Sequence, residues 1–336
     1  MSATPPGHPA IPPPRIGVLL TNLGTPDAPE AEAVRRYLAE FLSDRRVVEI
    51  PRLLWAPILH GIILRTRPKK SAHAYRQVWS EEGSPLAAIT ARQAKALQAR
   101  LGDGVMVEWA MRYGNPGIAG ALKRMIAAGA TRILAAPLYP QYCAATVASA
   151  NDALFAAIAA RRWQPALRTL PPYHDDPLYI AALKTDLERQ VAALDFTPDR
   201  LLLSFHGMPQ RTLALGDPYH CHCRKTARLL SEAMALPVDT AFQSRFGRAK
   251  WLEPATDAVL KAYPGEGVTK VAIAAPGFSA DCLETIEELG IRGRADFLGA
   301  GGTHFARLDC LNDGDAGMAM IEALVRRELA GWVAAA

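Results

Sequence analysis

The feature that most restricts this chain is a set of short, almost unbroken apolar runs. Each is ended by glycine or proline, and each is followed by a stretch of helical period. Residues 16–23 (IGVLLTNL), 105–111 (VMVEWAM), 131–138 (TRILAAPL), 200–205 (RLLLSF) and 270–275 (KVAIAA) are of this kind. A strand with one wet face alternates apolar and polar residues; these do not, so both of their faces are covered, as in a parallel sheet. Residues 31–42, 117–128, 151–161, 224–235 and 315–330 carry apolar side chains at helical spacing and read as the covering helices. The predicted fold class is therefore α/β, with doubly wound parallel sheet. A length of 336 residues suits two such units, at about 150 residues per domain.

Two pairs of segments repeat. Residues 18–26 (VLLTNLGTP) align without gaps on 201–209 (LLLSFHGMP), and 135–146 (AAPLYPQYCAAT) on 274–285 (AAPGFSADCLET), in the same order. Two similar halves follow. Ligands of open α/β sheets gather at the carboxyl ends of the strands. Residues 21–26, 139–146, 204–209 and 278–284 are accordingly expected to line one cleft. The expected organisation is a proline-rich disordered tail over 1–14, an N-terminal domain over 15–165 and a C-terminal domain over 166–314. The last helix, within 315–332, is expected to pack back on the first domain.

Composition excludes more than it selects. Thirty-eight Lys and Arg against 33 Asp and Glu leave a charge of +5, too mild an excess to imply nucleic acid. No apolar run approaches the roughly 18 residues of a membrane span. The first 14 residues hold six prolines and no apolar core, unlike a secretory signal. Five scattered cysteines (Cys143, Cys221, Cys223, Cys282, Cys310) argue against a disulfide framework. A cytoplasmic protein, with membrane association at most peripheral, is expected. Neither a G-x-x-x-x-G-K-S/T phosphate loop nor a G-x-S-x-G elbow occurs.

Four groups carry chemistry. His206 ends an apolar strand at the cleft, where an imidazole can take a proton or bind a metal. Asp281, Glu284, Glu287 and Glu288 follow another strand end; at helical spacing they form a line of carboxylates, equally readable as surface charge at a helix start. His220-Cys221-His222-Cys223 lacks the second arm of a zinc site and reads as a solvent-facing loop. Residues 53–64 (LLWAPILHGIIL), followed by Arg65, Arg67, Lys69 and Lys70, read as a core helix or as an exposed apolar lip with a basic hem.

At this point the chain resembles the ferrochelatases. The resemblance spans roughly 16–330. It is carried by LTNLGTP, GSPL (83–86), LYPQY (138–142), LSFHGMP (203–209), FQSRFGRAKWLEP (242–254) and PGFSADCLETIEEL (276–289). It implies two Rossmann-like domains around a porphyrin cleft and insertion of Fe²⁺ into protoporphyrin IX with release of two protons. By position, His206 and Glu284 are the implied catalytic pair and metal ligands, with Asp281, Glu287 and Glu288 on a metal or proton path. Asn22, Leu23, Arg112, Tyr113, Trp251 and Phe278 match porphyrin-cleft positions, and Arg65 and Lys69 match basic residues near the propionates. No cofactor is implied, Fe²⁺ being a substrate. The [2Fe–2S] cluster of some members is not expected, because the chain ends in GWVAAA without a cysteine tail. Cys282 stands where other members place histidine. The resemblance leaves monomer or homodimer open, as it does a peripheral inner-membrane contact. Two readings compete: a chelatase for another tetrapyrrole or metal, such as coproporphyrin or cobalt, and a non-catalytic porphyrin or haem carrier.

Overall fold

A computed structural model describes residues 7–8, 12–247 and 249–333; most of the proline-rich segment 1–14 lies outside them. The strands are β1 (Arg15–Gly24), β2 (Val105–Tyr113), β3 (Ala130–Pro137), β4 (Ala166–Thr169), β5 (Arg200–His206), β6 (Val238–Gln243), β7 (Lys270–Ala274) and β8 (His304–Arg307). They form two four-stranded sheets, β2-β1-β3-β4 and β6-β5-β7-β8, parallel throughout. The two halves thus share one topology, and the repeated segments fall on β1 with β5 and on β3 with β7.

The helices of the first half are α1 (Ala31–Ser43), α2 (Arg52–Ile58), α3 (Leu64–Val78), α4 (Pro85–Leu101), α5 (Ile118–Ala127) and α6 (Ser149–Ala159). The rest are α7 (Pro177–Ala192), α8 (Arg211–Ala214), α9 (Tyr219–Ala233), α10 (Thr256–Ala262), α11 (Arg294–Gly299) and α12 (Asp315–Glu328). Local chemistry starts several of them. Pro85 opens α4, where its missing N–H costs nothing. The Asp176 side chain caps α7 by accepting from the Leu178 N–H at 2.9 Å.

The absence of alternation in the strands has a simple cause. On β1, Val18 and Leu20 enter a core shared with Leu201, Leu203 and Phe205 of β5 and with α4, α7, α9 and α12. Leu19 faces the other way, into a core with α5 and α6. Leu202 does the same on β5, toward Tyr263 and Phe297. The two sheets therefore sandwich a common layer of helices, and each has a second apolar face outside. Helix α12 closes that layer through Leu324 and Val325, with Arg327 paired to Asp176 at 2.6 Å and Glu322 to Arg100 at 3.3 Å. Strand β4 belongs to the first sheet, which therefore runs to Thr169, past position 165.

One glycine in each half lets the strand ends approach. A Cβ on Gly24 (φ +124°) would lie 1.9 Å from the Tyr113 carbonyl oxygen, and one on Gly207 would lie 2.4 Å from that of Gln243. The two glycines occupy equivalent places in the repeat. After β3 and after β7 the chain also enters a π-helical segment, Ala144–Ala148 and Glu284–Gly293. Such segments are rare and concentrate at functional sites.

Two readings of the sequence are corrected. Residues 220–223 are not a loop but the first turn of α9, which Asp217 starts by accepting from the Tyr219 N–H at 3.0 Å. Residues 53–64 form α2 and a π-helical turn that lie largely in solvent: Leu53 is 90% exposed and Leu54 64%. They are a lip rather than a core helix.

Candidate active site

His206 is the last residue of β5 and half-buried. Its Nδ1 lies 2.7 Å from the Gly207 carbonyl oxygen. A carbonyl only accepts, so Nδ1 carries a proton in this contact, and in the neutral ring the lone pair is on Nε2. The strand end is held by Tyr219, whose hydroxyl donates to the His206 carbonyl at 2.9 Å. Trp251 packs beside it, bridged to Pro209 and in contact range of Gly207. Its indole N–H donates to the Phe246 carbonyl at 2.9 Å.

Glu284 opens the second π-helical segment. Among the described residues its carboxylate forms no ion pair. Tyr37 of α1 and Tyr75 of α3 are its neighbours from the other half. Burial, then the Glu284 charge, pushes the Tyr75 phenol above its ordinary range, and burial, then Tyr75 and Glu284, does the same for Tyr37. Cys282 is likewise raised by burial and by Glu284. The acid thus faces neutral donors. Leu283 packs on Val34, Ala72 and Tyr75, which holds this corner of the second half against α1 and α3.

The remaining acids are occupied. Asp281, buried, accepts from Thr285 Oγ1 (2.7 Å), Arg307 (2.8 Å) and the Asn312 amide (2.7 Å). Glu287 pairs with Arg292 at 3.0 Å. Glu288 accepts from the Ser244 N–H at 2.8 Å and from its hydroxyl, with Ser244 in the left-handed region (φ +63°). Of the four acids, Asp281, Glu287 and Glu288 already hold a partner.

In the first half, Asn22 is buried, donating to Thr90 Oγ1 at 3.2 Å. Leu23 packs with Phe278 around Met111, Ala280 and Cys282, so the repeated loops of both halves meet there. Arg112 and Tyr113 converge on Asp44, at 2.5 Å and 2.8 Å, with Ser149 bridging at 2.6 Å. The Arg112 guanidinium lies 4.4 Å above the Tyr113 ring. These donors and the Arg46 N–H hold the Asp44 carboxyl below its ordinary range although burial opposes them. A cavity of about 530 Å³ opens on Asp44, Arg45, Arg46, Glu49, Arg112 and Asp152. Arg65 and Lys69 stand apart, exposed on α3 without an ion pair among the described residues.

Sequence reasoning passed over Tyr37, Tyr75, Asp44 and Gln243. The tyrosines sit at core spacing in helices and carry no motif. Asp44 reads as a helix end, and only the fold puts it under Arg112. Cys143 and Cys223 share the central core, Cys310 belongs to the outer core of the second half, Cys282 packs beside Met111 and Ala280, and Cys221 is exposed.

Two matched parallel sheets around a cleft lined by strand ends are the architecture of the chelatases. A sirohydrochlorin chelatase, SirB from Bacillus subtilis subspecies spizizenii, solved in complex with cobalt, superposes with a TM-score of 0.55. It covers 94% of this chain and 97% of that one at 13% identity. CbiX, the terminal enzyme of sirohaem biosynthesis in denitrifying bacteria, gives 0.51 over 94% and 100% at 15% identity. These likenesses establish the fold. The sequence narrows the class. The ferrochelatase family profile matches residues 15–329. The ferrochelatase of Rhizobium meliloti (strain 1021) is 50% identical over 97% of this chain and 98% of its own length. That of Teredinibacter turnerae is 54% identical over 95% and 89%. The chain belongs to the ferrochelatase family, the lyases that insert ferrous iron into porphyrin in haem synthesis.

Proposed function

We propose that this chain metallates protoporphyrin IX, with His206 and Glu284 as the acting pair. The observation that carries the reading is their joint anchorage: the strand bearing His206, through Ser204, and the helix start bearing Glu284 are tied to one buried side chain, Gln243. Metal insertion must remove two pyrrole protons while a hydrated cation sheds its water. An imidazole with a free Nε2 lone pair can take a proton or bind the metal. A carboxylate among neutral phenols can receive a proton or stabilise the imidazolium. Leu23, Phe278 and Trp251 supply walls for a flat macrocycle, and binding on such walls can favour a bent ring whose lone pairs turn outward. Arg112 is engaged by Asp44 and serves as a wall rather than a free counter-ion, which leaves the exposed Arg65 and Lys69 for the propionates. The reading needs no resident cofactor, iron being the cargo.

The deciding experiment is anaerobic incubation with protoporphyrin IX and Fe²⁺, read by porphyrin fluorescence and haem absorbance, with His206→Ala and Glu284→Gln alongside. Haem from the wild type and loss of about 100-fold or more in each variant is the expected result. Porphyrin bound but left metal-free by all three would favour a carrier. Metallation of coproporphyrin in preference would reassign the substrate.

The lip supports a second element of this reading, a peripheral membrane contact. Leu53, Leu54, Ile58 and Ile62 of the lip, and Leu213, Leu215 and Phe246 of the second half, are exposed apolar side chains; Arg67 of α3 lies 5.1 Å over the Phe246 ring and Arg211 pairs with Glu49 at 2.6 Å, which brings the two groups near each other. Such a surface suits an anionic bilayer and an apolar substrate delivered from it. The double variant Leu53→Ser, Leu54→Ser should lose co-sedimentation with anionic vesicles while keeping turnover of detergent-dispersed porphyrin. Unchanged co-sedimentation would remove the contact.

A further inference from the structure

We propose that Gln243 is a positioning residue for the acid–base pair, its carboxamide setting where Glu284 stands relative to His206; this rests on the roles given to those two residues above. Gln243 ends β6 and pairs in register with His206. It is 3% exposed, and both ends of its amide are used. Oε1 accepts from Ser204 Oγ at 2.8 Å, and Nε2 donates to the backbone carbonyl of Glu284 at 3.1 Å. Its main-chain oxygen accepts from the Gly207 N–H at 2.7 Å. Ser204 is shared in turn with Thr256 of α10 at 2.7 Å. Ser204 and His206, two apart on a strand, lie on one face of it. One side chain therefore ties the strand end holding His206 to the first residue of the π-helical segment that carries Glu284.

The other half of the molecule repeats the device. Gly24 presses on Tyr113 as Gly207 presses on Gln243. The Tyr113 hydroxyl reaches 2.9 Å to Ser149, the residue that follows the first π-helical segment. In each half, then, a side chain at the end of the strand beside the glycine reaches one end of the π-helical segment, Ser149 just after the first and Glu284 at the start of the second. Only in the second half does the strut end on the backbone of the candidate acid.

Two variants separate positioning from mere support. Gln243→Leu keeps the volume and removes both bonds. Gln243→Glu keeps the shape: protonated, it donates to the Glu284 carbonyl and accepts from Ser204, but ionised it offers that carbonyl only acceptors. The charged and imidazole groups on the elements packed against β6 are Arg200 and His206 on β5, His220, His222, Arg224, Lys225, Arg228 and Glu232 on α9, Asp257 and Lys261 on α10, and Glu284, Glu287, Glu288 and Arg292 on the π-helical segment, with Asp239 on β6 itself. All are present in the wild type, so a titration seen only in Gln243→Glu belongs to the new carboxyl.

The measurement is kcat and the porphyrin KM across pH in the anaerobic assay, with thermal unfolding of each variant. Expected are a kcat about 10- to 100-fold lower in Gln243→Leu with porphyrin KM within about twofold, and in Gln243→Glu a kcat that recovers toward wild type on acidification through one extra ionisation. A Gln243→Leu kcat within about twofold of wild type overturns the proposal, as does a Gln243→Glu profile parallel to the wild type's at every pH. If Gln243→Leu does not fold, Gln243→Glu decides alone. Failure of the wild type itself to metallate porphyrin would instead overturn the underlying reading.

Discussion

At the scale of single residues, the site is set by groups that leave another group free. The Gly207 carbonyl accepts the Nδ1–H of His206, which leaves Nε2 as the nitrogen open to the cleft in the neutral ring. Arg307 and Asn312 take Asp281, and Arg292 takes Glu287, so Glu284 is the acid left unpaired among the described residues. Asp44 plays the same part under Arg112. Its side chain is 10% exposed and that of Arg112 17%, so removing the carboxylate strands a mostly buried guanidinium. Asp44→Ala should cost about 3 kcal/mol of stability, measured by urea unfolding, and Ser149→Ala, which removes a neutral partner, about 1 kcal/mol. Equal small losses would show that the network is more solvated than its geometry implies.

At the scale of elements, the two π-helical segments and the lip matter most. The second segment runs from Glu284 to Gly293 and carries both the acid and Arg292, the cation that occupies Glu287 and stands 3.8 Å from Glu288. A metal path past Glu287 and Glu288 requires Arg292 to let go. Arg292→Gln should therefore lower the KM for Fe²⁺ several-fold while leaving the porphyrin KM unchanged, as expected for removal of a competing cation. An unchanged iron KM would take Glu287 and Glu288 off the path. The lip helix shows where element-level sequence reading stops. Its twelve apolar-rich residues fit a core or an exposed rim equally well, because hydrophobicity reports what a segment would bury, not what the fold leaves to cover it. Edge strands β4, β6 and β8 were illegible for a related reason: β4 and β8 are only half-buried, and β6 carries Asp239 and Thr240 in place of an apolar run.

At the scale of the whole molecule, one core joins both halves. Leu324 and Val325 of α12 contact the layer shared by both sheets, so Leu324→Ala should cost about 2–5 kcal/mol and lower a single unfolding transition; two separated transitions in calorimetry would show independent halves. The halves also meet at His222, which Tyr142 of the first half reaches and which stacks on His174. The rings of His174 and His222 stack 3.5 Å apart, and the Tyr142 N–H donates to His222 Nδ1 at 3.1 Å. Burial, then the neighbouring His222, lowers His174 from 6.5 to about 4. The folded chain thus holds this imidazole neutral where the unfolded chain protonates it. Stability from this source is whole above pH 6.5 and is lost as pH falls toward 4. His174→Asn should flatten the fall of melting temperature over that window; an unaltered slope would assign the acid sensitivity elsewhere.

The sequence by itself determined the class of fold, the duplication, and the positions of His206 and Glu284, for a physical reason. Strands buried on both faces must be apolar throughout, and the turns at their carboxyl ends need glycine or proline, so the frame and the cleft rim are written in local composition. The motifs then fixed the family. The tertiary structure alone decided which groups are free to act. Asp281 and Glu284 are three residues apart and look alike in the chain. One is saturated by Arg307, Asn312 and Thr285, and the other faces Tyr37 and Tyr75 from the opposite half. Hydrogen bonds and charges are satisfied across long sequence separations, and no local pattern records them.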